Sequence, residues 1–74
     1  MKTEQLITMA NQIGDFFQAE PDTEQAKKDI AVHIKRFWAL AMRQQIITHV
    51  NQHEGSGLHP IVGEAIKQHS AFLN

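Results

Sequence analysis

Leu6, Met9, Ala10, Ile13, Phe16 and Phe17 recur at steps of three and four, which sets one apolar stripe along a helix over residues 3–19 with Thr3 as its N-cap. Gly14 falls inside that stripe. A glycine in mid-helix costs about 1 kcal/mol relative to alanine, so it points to close approach by another helix. Pro21 disfavours helical geometry at Glu20 and ends the element. Asp22 or Glu20 then caps a second helix: Pro21 suits its first turn, and Asp22 to Gln25 has the spacing of a capping box. Its stripe runs through Ala26, Ile30, Ile34, Phe37, Trp38, Ala41, Met42, Ile46 and Val50. No glycine or proline interrupts it between Thr23 and Glu54, so the pattern predicts one continuous helix over 22–53. Leu40 and Ile47 lie off that stripe, giving the C-terminal half a second apolar face that needs a second neighbour.

Gly55-Ser56-Gly57 marks a turn, and Pro60 opens a last helix over 60–72 that carries Ile61, Val62, Ala65, Ile66, Phe72 and Leu73. No alternating strand pattern or internal repeat is present. The expected fold is all-α. It is a small helical bundle of one domain, 1–74, built as a helical hairpin with a long second helix and closed by a short C-terminal helix packed across it.

Composition changes this picture in two ways. With 74 residues, 42% of them hydrophobic, and no cysteine, the chain can use neither disulfides nor thiolate-bound metal as a staple, and a lone monomer is expected to be marginal. Self-association or a larger partner is the expected remedy. Seven Lys and Arg against eight Asp and Glu give a net charge of −1, which speaks against nucleic acid as a partner. The sequence has no apolar run of signal-peptide or membrane-span length, so it reads as a cytoplasmic protein with no membrane partner.

Among candidate chemical groups, His49 and His53 stand at i and i+4, a spacing that can face two imidazoles together. Position 50 is Val, so the H-E-x-x-H pattern is absent, and favourable interaction with the helix C-terminus is the expected role of both histidines. No metal site and no catalytic site are assigned. The chain has no Tyr and no Cys, and its two serines, Ser56 and Ser70, fall near turns or the chain end. Lys28, Lys35, Arg36 and Arg43 recur at steps of seven and eight, forming a cationic ridge on the second helix. His33 borders the core beside them. Arg36, Phe37 and Trp38 together have the residue types of a protein-binding anchor, although a lone tryptophan in so small a chain is more often part of its core.

Met9 to Phe17 (MANQIGDFF), His33 to Trp38 (HIKRFW), Met42-Arg43 and Gly57 to Val62 (GLHPIV) occur in that order. Together they resemble the delta subunit of the soluble, NAD-dependent, molybdenum-containing formate dehydrogenases, over roughly Leu6 to Ile66. Family members commonly read Trp-Asp-Pro-Arg-Met-Arg through the middle block. This chain has Trp38-Ala39-Leu40-Ala41-Met42-Arg43, so one cation is missing and, without the proline, the long helix is expected to run straight. The resemblance implies a non-catalytic accessory subunit that binds the large catalytic formate dehydrogenase subunit. In such a complex the molybdenum cofactor, iron–sulfur clusters, FMN and NAD belong to other subunits, and this chain binds no cofactor. The expected partner-binding residues are His33, Lys35, Arg36, Phe37, Trp38, Met42 and Arg43. An autonomous homo-oligomeric helical module remains the alternative.

Overall fold

In the computed structural model, residues 1–74 form five helices: α1 (Thr3–Phe17), α2 (Thr23–Phe37), α3 (Leu40–His53), α4 (Pro60–Gln68) and α5 (Ser70–Leu73). The bundle is all-α, as the periodicity predicts. α1 starts one residue earlier in its capping scheme than expected. Thr3 is already helical, Lys2 is the N-cap, and Lys2 N–H donates to Gln5 Oε1 at 3.2 Å. At α2 the expected cap is present, with Asp22 Oδ1 accepting from Glu24 N at 3.1 Å and Gln25 N at 3.2 Å. Glu20 acts one step upstream, taking Asp22 N–H at 3.1 Å, and Pro21 precedes the cap instead of entering the first turn. Pro60 occupies the first turn of α4, where its missing N–H costs nothing.

The apolar stripes meet in a single core. Leu6 and Ala10 of α1, Ile30 and Ile34 of α2, Ile46 of α3, Val62 and Ile66 of α4, and Leu73 of α5 are all fully buried. α2 packs against α1, α4 and α5, while α3 packs against α1 and α4. Gly14 lets α4 approach α1 closely, since a Cβ at this position would collide with Val62 Cγ2. Gly14→Ala should therefore cost about 1–3 kcal/mol through overpacking, despite alanine's better helix propensity. In urea titrations, adding Val62→Ala should give a double variant less destabilised than the sum of the two single changes, because the colliding methyl is gone.

Two expectations about helix length are corrected. The second helix is not continuous over 22–53. It stops at Phe37, Trp38 and Ala39 take extended backbone (φ −97°, ψ 139° and φ −63°, ψ 153°), and α3 starts at Leu40. A straight helix over that range would be roughly 48 Å long at 1.5 Å per residue, whereas the longest dimension of the whole molecule is 31 Å. One straight rod would carry its apolar stripe beyond the reach of α1 and α4. Breaking it at Trp38 folds both halves onto the same core. The Ala39-Leu40-Ala41 segment thus does not keep the helix straight. The C-terminal helix is also divided, at His69 (φ −108°, ψ 22°), which swings Leu73 under α2 and α3.

Arg43 makes the first break possible without proline or glycine. Its Nη1 donates to Trp38 O at 2.7 Å and, at a longer 3.4 Å, to Lys35 O, while Nε donates to Leu73 O at 2.8 Å. Carbonyls left without helical partners at the end of α2 and in α5 are thereby satisfied by one planar guanidinium.

A second polar tie joins α1 to the turn before α4. Asn11 Nδ2 donates to Gly57 O at 2.9 Å and its Oδ1 accepts from His59 N at 2.8 Å. His59 Nδ1 lies 3.2 Å from Asp15 Oδ1. The turn itself needs left-handed backbone at Glu54, Gly55 and Gly57 (φ 55°, 69° and 88°).

Candidate functional site

The helix break separates neighbours that the linear sequence groups together. Trp38 turns inward and keeps only 5% of its surface. Met42 is partly buried against the core. Arg43 has its Nε and Nη1 bonded inside the protein. His33, Lys35, Arg36 and Phe37 instead share the outer flank of α2, and Phe37 is 68% exposed. Of the seven residues assigned to partner binding, these four are gathered on one surface.

Four apolar side chains absent from that assignment, Phe16, Phe17, Val32 and Phe72, complete the flank. Phe16 is 70% exposed at the end of α1 and packs edge-on against Phe17 at 5.0 Å between ring centroids. Phe17 meets His33 at 6.1 Å, and His33 meets Phe37 at 4.7 Å. On the other side Phe72 of α5 stands half-exposed, with Lys35 Nζ 5.6 Å above its ring. Arg36 lies 5.8 Å from the centre of the Phe37 ring. Val32 sits between the two aromatic groups. Phe16 could have been singled out from sequence, because adjacent Phe16 and Phe17 are about 100° apart on a helix and both cannot face one narrow core. Phe72 had no such signal, as its position depends on the turn at His69.

Charges on this flank are unusually free. The carboxylate–cation pairs in the molecule are Lys27 with Glu24 (3.0 Å) and Glu64 (3.6 Å), and His59 with Asp15. Lys28, Lys35 and Arg36 take part in none of them. The Lys27 group instead ties α2 to α4, helped by Gln68 Nε2 donating to Glu24 Oε1 at 3.1 Å. Hydrogen bonds from Lys27 and then Gln68 hold the Glu24 carboxyl below its ordinary range, and the same carboxylate raises Lys27.

The histidine pair of α3 lies elsewhere. The His49 and His53 rings are 5.6 Å apart, and His49 Nε2 is 2.7 Å from Ser56 O, joining the helix to its following turn. No group of three or more His, Cys, Asp or Glu side chains is gathered for a metal ion. The donor set does not fit an iron–sulfur cluster, which needs thiolates the chain lacks. No helix is long and apolar enough to cross a membrane.

Fold and surface together define a small all-α bundle with a buried tryptophan, an internally bonded arginine and one flank of exposed rings and unpaired cations. A family model for the NADH-dependent formate dehydrogenase delta subunit, FdsD, matches residues 5–66, and the chain belongs to that family. No curated protein and no solved structure matches it. The matched span contains the Asn11 tie, the Gly14–Val62 contact and, of the Arg43 clamp, Arg43 and Trp38 but not Leu73.

Proposed function

We propose that this chain is a non-catalytic accessory subunit of a cytoplasmic NAD-dependent formate dehydrogenase, binding the large catalytic subunit and stabilising or assisting assembly of the complex. The observation that carries the reading is the α2 flank, on an FdsD-family chain, where Phe37 and Phe16 stay about two-thirds exposed beside unpaired Lys35 and Arg36. Aromatic side chains with arginine are the usual anchors of protein interfaces, and a monomer gains little by leaving two phenylalanines in water. The molybdenum cofactor, iron–sulfur clusters, FMN and NAD then belong to the larger subunits. The mechanism is mass action: a subunit that binds only the folded, assembled state stabilises it by about 2.7 kcal/mol when present at a hundred times its Kd.

The test is production of the complex with and without this chain, following co-purification and the half-life of formate oxidation on heating. Phe37→Ala is expected to leave the melting temperature of the isolated chain nearly unchanged, since the ring is mostly in water. It should weaken association with the large subunit by about tenfold or more, the scale of a modest interface anchor. An enzyme that assembles and survives heating equally well without the chain would overturn the proposal.

A further inference from the structure

The outer flank of α2 is shaped as well as charged. Val32 forms a low ridge between two shallow pits, one walled by Phe72 and the stem of Lys28, the other by Phe17, His33 and Phe37. Their volumes, about 210 and 180 Å³, are below the roughly 300–1,000 Å³ of pockets that enclose small-molecule ligands. Each suits a single apolar side chain presented from outside. The rims carry Lys28 and Lys35 at one pit and Arg36 at the other, none of them within ion-pair reach of a carboxylate of this chain. Asp29 is the one acid at the second pit, and its Oδ1 accepts from Gln25 Nε2 at 2.8 Å.

We infer that this flank receives an acidic amphipathic helix of another protein, two of whose apolar side chains enter the pits on either side of Val32 while its carboxylates meet Lys28, Lys35 and Arg36. The inference rests on the accessory-subunit reading and names the chemistry of the segment that the subunit holds. A helix is the fitting occupant because α2 has its backbone groups bonded internally and offers no free edge to an extended strand. Charge complementarity selects the acidic character. A second copy of this chain, docked through the same flank about a twofold axis, would bring the cationic set of Lys28, Lys35 and Arg36 on one copy against the same set on the other. A net charge of −1 argues against a polyanionic nucleic acid.

The experiment uses the assembled enzyme with the full chain and a zero-length reagent that couples amines to carboxylates, followed by mass spectrometry. Lys28 and Lys35 should be joined to Asp or Glu of a helical segment in another subunit that has apolar residues three or four positions apart. Two variants accompany it. Val32→Arg keeps the charge positive but obstructs both pits, and should lower affinity at least tenfold. The double change Lys28→Glu with Lys35→Glu should lower affinity as much and flatten its dependence on salt. Thermal melts of the isolated variants report whether each is folded. If the chain co-purifies but couples only within itself, to a second copy or to a non-helical segment, or if both folded variants bind like wild type, this inference is overturned while the accessory role stands. If the chain does not co-purify at all, the accessory role fails and the inference fails with it.

Discussion

Arg43→Ala is expected to lower the stability of the isolated chain by about 2–4 kcal/mol, since hydrogen bonds involving a charged group are worth about 1.5–3 kcal/mol and those lost here leave carbonyls without protein partners. Nε on Leu73 O at 2.8 Å and Nη1 on Trp38 O at 2.7 Å hold together the end of α2 and the closing turn α5. In a chain of 74 residues each kcal/mol moves the melting temperature by about 4–8 °C, so the variant should melt far below wild type. Arg43→Lys should recover only part of the loss, because an ammonium on a flexible stem cannot present two fixed N–H directions to carbonyls on opposite sides. Urea unfolding followed by far-ultraviolet circular dichroism measures both. A loss under 1 kcal/mol for Arg43→Ala would mean that water replaces the guanidinium, and the helix break would then need another explanation.

The same residue shows where sequence reading works on this protein and where it stops. Elements set by local signals are legible. The α1 stripe, the Asp22 cap, the turn at Gly55 to Gly57, the start of α4 at Pro60 and the helix contact at Gly14 follow from neighbours within a few positions. The break at Trp38 is not legible, because what stabilises it is remote. Leu73 O lies 30 residues from Arg43 in sequence, and the helix propensity of Ala39-Leu40-Ala41, worth tenths of a kcal/mol per residue, yields to burial of the stripe on both sides of the bend. Neither proline nor glycine stands at the corner, and the bend forms without them. The expectation that Arg43 binds a partner rests on its continuing the cationic ridge at a step of seven from Arg36, a step that assumes one straight helix. Lys35, Arg36 and Phe37 precede the break, and for them the helical arithmetic holds.

Trp38→Ala should be the most damaging single truncation, about 3–5 kcal/mol. Trp38 keeps only 5% of its surface and belongs to the buried cluster that also holds Ile34, Ile46 and Leu73, the one core of the molecule. Emptying that volume at the corner between α2 and α3 removes apolar contacts and leaves a cavity that the Arg43 clamp prevents from collapsing. In so small a domain this approaches the whole stability. The consequence bears on how a binding surface is mapped here. A loss of complex in Trp38→Ala would report unfolding, whereas Phe37→Ala, one residue earlier and mostly in water, reports the surface. Thermal melts and co-purification at low temperature, run on both variants, separate the two effects. Trp38→Ala should melt tens of degrees lower, with Trp38→Phe intermediate, while Phe37→Ala melts near wild type and loses the partner. If Trp38→Ala kept its melting temperature and lost only the partner, the indole would be an interface anchor and its place in the core would be wrong.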